Sequence, residues 1–373
     1  MGYYLDGMSL RQRDFSRQGE RLQIYLDGLT EAAGHADRVV PIENYTKGLM
    51  LPIERKSVEP MAARLAPGNV RQMHQSLHHI VADAAWNDDA LLRQIRCQVL
   101  PAITRKHALA AWIVDDTGFP KKGTHSVGVT RQYCGQLGKQ ENCRVAVSVS
   151  LATEAASIPV AYRLYLPETW AHDEQRRKQA GVPKEISFET KPEIALGQIR
   201  SLVNEDVPRG VVLADAAYGN DHGFRDGLVS LELRVRVAHR DSWRKEPHPE
   251  QWLLIEWPKT EKEPSKYWLS NLPASITLRK LVATAKLRWR IERDYEELKQ
   301  ELGLGHFEGR NWRGFHHHAT LSIAAYGFLV LERCLFPPSG NSGRVQATNI
   351  QLQIPRVQPD YTPRGAAPAH RTA

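Results

Sequence analysis

The sequence predicts an α/β fold: a mixed five-stranded sheet flanked by helices, preceded by a helical N-terminal region and carrying a small β insertion. Three patterns predict it. Apolar residues recur at helical spacing through the first hundred residues; the middle alternates every second residue or runs apolar without a break; and from about residue 190 helical and extended stretches take turns. The 373 residues divide into a helical N-terminal domain (10–105), an α/β domain (106–336, with the insertion at about 238–275) and a disordered tail (337–373).

In the first region, Leu22, Leu26 and Leu29 share one helix face, and Val70, Met73, Leu77 and Val81 share another. Ala66-Pro67-Gly68 separates the second helix from the segment before it. Arg64, Arg71, His74, His78 and His79 lie on or near these helices, which suits a helix-turn-helix-like DNA reader. A helical bundle with a solvated basic face suits the same residues equally well.

Residues 108–114 form a short apolar run followed at once by Asp115 and Asp116. Val145, Val147, Val149 and Leu151 alternate with small polar partners, and 158–166 is a third extended run. A helix entered at Pro192 carries Ile194, Ile199, Leu202 and Val203 inward. Residues 210–214 are a fully apolar strand ending at Asp215; a helix at 223–229 then leads to a fifth strand at 231–237. Three successive strands suit an antiparallel meander, and the later alternation suits parallel crossovers. The Trp-rich stretch 238–271 holds two strand-like pieces, 252–257 and 266–270. A long helix follows at 278–302, with Leu287, Ile291, Tyr295, Leu298 and Leu302 on one face, and then an apolar helix at 318–335. After Pro337 proline, glycine and polar residues predominate, a composition too polar to pack. No internal repeat is present.

The formal net charge of +8 points to a polyanionic partner, nucleic acid or an anionic membrane surface. The four cysteines, Cys97, Cys134, Cys143 and Cys334, form neither a CxxC pair nor a zinc-finger spacing, so a reducing compartment is expected. The first residues lack the apolar run of a signal peptide, and no apolar stretch is long enough to span a bilayer. The expectation is a cytoplasmic protein, nucleoid-associated when bound to DNA, with no membrane partner.

Two features carry candidate chemistry. Aspartates at the ends of neighbouring strands, Asp115 (with Asp116 beside it) and Asp215, can converge at one sheet edge. Such carboxylates favour Mg²⁺, with Mn²⁺ as a substitute. Two such ions about 3.5–4 Å apart can stabilise both the attacking and the leaving oxygen of a phosphodiester displacement. Strand-end aspartates are also common turn formers and caps. The second feature is Arg288, Glu292 and Lys299, at i, i+4 and i+11 on one helical stripe. An acid between two cations can ligate metal while its neighbours hold DNA phosphates. Spacing alone favours the plainer reading, a solvated charge ladder.

Linked motifs change that balance. Arg288-Trp289-x-Ile291-Glu292-x2-Tyr295-x3-Lys299 resembles the third motif, Tyr-x2-Arg-x3-Glu-x6-Lys, of bacterial insertion-sequence DDE transposases. Asp115-Asp116-Thr117-Gly118-Phe119-Pro120-Lys121-Lys122-Gly123 and Leu213-Ala214-Asp215-Ala216-Ala217-Tyr218-Gly219 resemble their first two acidic motifs. Ser126-Val127-Gly128-Val129-x-Arg131-Gln132-Tyr133 and Gly309-Arg310-x-Trp312-x-Gly314-x-His316-His317-His318 are similar to further stretches of one branch. The resemblance runs from about 115 to 333. It implies an RNase-H-like catalytic domain in which Asp115, Asp215 and Glu292 bind two divalent ions. A metal-activated water would cut the transposon end, and the freed 3′-hydroxyl would attack target DNA. It implies as partners the terminal inverted repeats and the target duplex, held by a homodimer. Arg288, Lys299, Lys121 and Lys122 are the expected phosphate contacts. A transposase-derived DNA-binding protein without catalysis, and a nuclease without strand transfer, are the alternatives.

The family's tyrosine position falls on Ala285, a departure that removes one aromatic phosphate contact. Neighbouring strand residues face opposite sides, so only one of Asp115 and Asp116 can point at the metal, and motif register favours Asp115. Three consecutive histidines, 316–318, point about 100° apart on a helix and cannot share an ion; helix-start packing or a phosphate contact fits better. Lys121, Lys122, Arg131, Lys139 and Arg144 suggest a DNA-backbone path, and Trp170 suits a buried core position better than base stacking.

Overall fold

The computed structural model describes residues 10–231, 252–256, 260, 266–270 and 272–337. Nearly all of the expected strand at 231–237, and the tail beyond Pro337, lie outside the described residues. Five helices come first: α1 (Leu10–Thr30), α2 (Val39–Leu49), α3 (Val58–Leu65), α4 (Val70–Ala82) and α5 (Asp88–Thr104). Leu22, Leu26, Leu29, Leu77 and Val81 are buried as their spacing predicts, and Val70 and Met73 are partly so. Asn87 starts α5 by accepting the Ala90 N–H, with Asp88 and Asp89 in the first turn where acids complement the helix dipole.

Four strands follow, β1 (Ala111–Pro120), β2 (Thr130–Cys134), β3 (Lys139–Ala152) and β4 (Ser157–Leu164). Then come α6 (Glu168–Ala171), α7 (Glu174–Ala180), α8 (Lys191–Asn204), the short strand β5 (Val211–Leu213), α9 (Ala216–Gly219) and α10 (His222–Ser230). Thr190 and Glu193 form a reciprocal capping box at the start of α8, with Pro192 in its first turn. In the insertion, β6 (Trp252–Glu256) and β7 (Lys266–Ser270) pair antiparallel as a separate two-stranded sheet. The chain then forms α11 (Leu278–Lys286), α12 (Trp289–Gln300) and α13 (Trp312–Leu335).

Among the described residues the main sheet is mixed and five-stranded, consistent with an RNase-H-like fold. β1 runs antiparallel to β3 along its whole length, from Ala111↔Ala152 to Pro120↔Cys143. On its other edge β3 carries two strands: β2 against its first residues and β4 against its last. β5 joins β1 in parallel from Ala111↔Val211 to Ile113↔Leu213. Three sequence expectations need correction. β1 does not stop at Val114 but continues through both aspartates, because antiparallel pairing with β3 holds its backbone out to Pro120. β2 was not expected, since Thr-Arg-Gln-Tyr-Cys is short, polar and edge-placed. The helix expected at 278–302 is two helices, joined through i→i−3 bonds at Leu287 and Arg288 to the carbonyls of Thr284 and Ala285.

The faces of this sheet are assigned by alternation. Val147 O accepts from Gln198 of α8, and Trp112 donates to Pro208 O, on one side. Ser148 meets Tyr295 of α12, and Phe119 packs edge-on against Phe315 of α13, on the other. A single apolar core connects this second side to the N-terminal helices through α13, which is buried without a break from Gly314 to Phe328. A helix apolar all round belongs inside a core.

α13 begins six residues before the sequence pattern suggested (312 against 318), capped by Asn311, whose side chain accepts the Gly314 N–H. Its three histidines look polar in sequence but are packed, with ring nitrogens satisfied mainly by backbone. His316 faces Trp312 O at 2.9 Å and accepts from Leu164 N–H at 3.2 Å. His317 stacks on Trp86 at 3.7 Å and faces its carbonyl. His318 faces Gly303 O at 2.9 Å, so its other nitrogen accepts from the Tyr45 hydroxyl, also at 2.9 Å. Packing therefore accounts for all three, and none is placed for a phosphate contact. Burial pushes His318 down to about 4. Above pH about 6.5 neither the folded nor the unfolded ring is charged; below it the unfolded ring takes a proton that the folded one refuses. Stability attached to His318 is thus lost as pH falls from about 6.5 towards 4. Relative to wild type, His318→Gln should gain about 2 kcal/mol between pH 7 and pH 5 in urea unfolding. A pH-independent difference would show that the folded ring takes up its proton over the same range as the unfolded one.

Candidate active site

The register of β1 and β5 brings two acids together. Ile113 and Leu213 are the last paired residues, and each is followed two positions later by an aspartate, Asp115 and Asp215. Two positions along a strand returns a side chain to the same face. That face is the one against which α12 packs, through Leu287, Ile291 and Tyr295 over Ala111, Ile113, Ala152 and Leu213. Asp215 also caps α9, accepting from the Ala217 and Tyr218 N–H groups, which fixes its oxygen Oδ1. Asp115 is braced differently: its Oδ1 accepts the Asp116 N–H, and its carbonyl accepts from the Tyr295 hydroxyl at 3.3 Å. The same hydroxyl meets Ser148 Oγ at 2.7 Å.

Packing of α12 on this face delivers Arg288 and, one turn on, Glu292. The Arg288 guanidinium touches all three acids. Its NH2 lies 3.4 Å from Asp115 Oδ2 and 3.9 Å from Asp215 Oδ2, and its NH1 lies 3.2 Å from Glu292 Oε1. The cluster opens outward: the Asp115 side chain is 14% exposed, Arg288 26%, Asp215 40% and Glu292 62%. Burial pushes the Asp115 carboxyl up to about 7; Arg288 opposes the rise, and the charges of Asp116 and Asp215 add to it. The donor set is all oxygen and suits a hard divalent cation. The spacing does not: among the described residues no three His, Cys, Asp or Glu side chains are close enough to hold one metal ion as they lie.

Asp116 points to the other side of the sheet. It receives the Lys191 ammonium of α8 at 3.1 Å and the Tyr218 hydroxyl at 3.2 Å. It thus ties β1 to α8 and to the helix that Asp215 caps. Lys299, three turns along from Arg288, is anchored inward: its ammonium donates to Gly118 O at 2.8 Å and to Gln136 Oε1 at 3.2 Å, and burial pushes it down to about 8. Lys121 donates to Phe307 O at 2.8 Å and is likewise pushed down to about 8, by burial and by Arg144. Lys122, Arg131 and Lys139 are exposed. Arg144 is not part of a basic loop; it is buried between Phe307 and Phe315, with guanidinium-to-ring distances of 5.7 and 4.7 Å. Trp170 is buried and donates to Val129 O at 2.8 Å. Sequence reasoning missed the Tyr295–Ser148 brace and the Lys191–Asp116–Tyr218 tie. Tyr218 and Tyr295 sit inside the quoted motifs, whereas nothing at Lys191 or Ser148 marks them before folding.

A family model described as DDE superfamily endonuclease matches residues 25–254, and a transposase DDE domain matches residues 194–328. The probable transposase for insertion sequence element IS701 of Microchaete diplosiphon is 31% identical over 217 residues, 58% of this chain and 53% of that protein. The chain thus spans about half the length of this curated relative. It belongs to the DDE superfamily of endonucleases, the class to which its acidic motifs bear their resemblance.

Carboxyl-carbon NMR of the metal-free protein should show Asp115 titrating near pH 7. Arg288→Gln should move that titration higher, because the guanidinium favours the ionised form. A midpoint near the ordinary value of about 4 would contradict the buried, α12-facing placement.

Proposed function

We propose that this chain is the DNA transposase of an insertion sequence, cutting transposon ends and joining the freed 3′-hydroxyl to target DNA. The observation that carries the reading is convergence. Acids from β1, from the end of β5 and from α12 meet around one guanidinium, although they lie 100 and 77 positions apart in the chain (115 to 215, 215 to 292). No packing need explains three carboxylates there, since charges brought together on an apolar sheet face cost folding energy unless paired. Membership of the DDE superfamily gives that cost a use.

In this reading Asp115, Asp215 and Glu292 are the residues that would hold Mg²⁺ or Mn²⁺, two ions in the working complex. Bound there, divalent ions lower the pKa of water and neutralise charge on the reacting phosphate. The protein's own part is positioning. Tyr295 and Ser148 fix the backbone at Asp115, α9 fixes Asp215, and Glu292, open to solvent, closes the set from the side where DNA enters. Arg288 and the exposed Lys122 contact DNA phosphates, with Lys121 and Lys299 joining after release from their backbone carbonyls. The helices of 10–105 bind the terminal repeats, 106–336 carries the chemistry, and two copies pair the two ends. Among the described residues no helix is long and apolar enough to cross a membrane, which suits action on cytoplasmic, nucleoid DNA.

Purified protein incubated with its element's terminal DNA and Mg²⁺ should cleave and join, and chelation of the metal should stop both. Asp215→Ala and Glu292→Ala should keep DNA binding in gel shift and lose at least about 10²–10³-fold in cleavage. Full activity in Glu292→Ala would overturn the site. Cutting without joining would make the chain a nuclease.

A further inference from the structure

The three acids meet at Arg288 and not at one another. In resting protein this disagrees with a metal centre, where oxygens gather about 2.1 Å from the ion. Around Arg288 they stand 3.2–3.9 Å from its nitrogens. Building on the proposed assignment of these acids, we propose that Arg288 is their resident counter-cation. It fills the space a divalent ion needs and yields it when a DNA phosphate draws the guanidinium away. Arg288 is then a positioning residue whose two partners, carboxylates and phosphate, couple metal loading to DNA binding.

Several features fit a side chain held for exchange. Its fork is not closed on any one carboxylate: NH2 is shared between Asp115 and Asp215, while NH1 goes to Glu292. Its Nε–H is buried with no hydrogen-bond partner, so the present arrangement leaves one donor unspent. A phosphate offers two acceptors in the planar geometry that a guanidinium matches best, which makes it a strong competitor for this group. The side chain is partly exposed and lies next to Glu292, the most open of the three acids, which gives it an exit toward solvent. It also springs from the i→i−3 turn joining α11 to α12, a joint where the backbone can re-aim a side chain without unwinding either helix. Asp115 and Asp215 stay in place when it leaves, because strand pairing and the α9 cap hold them independently.

The test is Mn²⁺ binding to the full chain without DNA, followed by the electron paramagnetic resonance of free Mn²⁺. Arg288→Gln should bind Mn²⁺ at least tenfold more tightly than wild type, and Arg288→Lys, which keeps the charge, should stay within about threefold of wild type. Equal or weaker binding by Arg288→Gln overturns the counter-cation. Adding Asp215→Ala to Arg288→Gln should abolish the gain. If Mn²⁺ binds tightly regardless of Asp215, the acids are not its ligands, and the failure is that of the proposed function. A wild-type measurement guards against a variant that does not fold: in arginine-labelled protein, the Arg288 Nε–H signal should shift when duplex DNA is added without metal. An unmoved signal in the DNA-bound protein also overturns the proposal.

Discussion

Three residue pairs between β1 and β5 govern where the acids of this molecule meet. The parallel register ends at Ile113 and Leu213, and each strand then places an aspartate two residues later, on the face covered by α12. A slip of one residue would turn one carboxylate to the α8 side and leave the other alone. The pairing is short, but its surroundings hold it. β1 is pinned along its full length by β3, β5 leads directly into the helix that Asp215 caps, and Trp112 donates to Pro208 O just before β5 begins. The register is thus held from outside the three pairs, by β3, by the α9 cap and by the Trp112 contact.

The neighbouring aspartates show how one strand serves two purposes. Asp115 faces α12 and the cluster; Asp116 faces α8, where Lys191 and Tyr218 compensate its charge. Tyr218 lies on the helix that Asp215 caps, so Asp116 also steadies the second acid from behind the sheet. On the α12 side the burden on Asp115 is visible in a carboxyl pushed up to about 7, even with Arg288 beside it. Burial on the α12 face therefore outweighs the neighbouring guanidinium at this carboxyl.

Much of this was legible in the sequence. The alternation of Val145 to Leu151, the apolar run before Asp215, the face Leu287–Ile291–Tyr295–Leu298 and the capping signal at Pro192 each follow from periodicity that the fold obeys. Motif register favoured Asp115 over Asp116; in the fold Asp115 lies beside Arg288, and Asp116 lies beside Lys191 on the opposite face. What stayed hidden depends on tertiary context. The three histidines of α13 read as polar until their nitrogens meet Gly303, Trp312, Trp86 and Tyr45. Arg144 reads as a loop cation until two phenylalanines enclose it. The joint at Leu287 and Arg288 leaves no mark in an unbroken helical pattern, and it is there that the guanidinium shared by all three acids begins.

The central claim of the proposed function is that strand register, and not mere abundance of acid, selects the residues that act on DNA. Cleavage of terminal DNA by Asp115→Asn and Asp116→Asn, measured side by side in protein that still binds DNA, tests it most directly. The register predicts that Asp115→Asn loses cleavage altogether while Asp116→Asn stays within about tenfold of wild type. An active Asp115→Asn beside an inactive Asp116→Asn would contradict it.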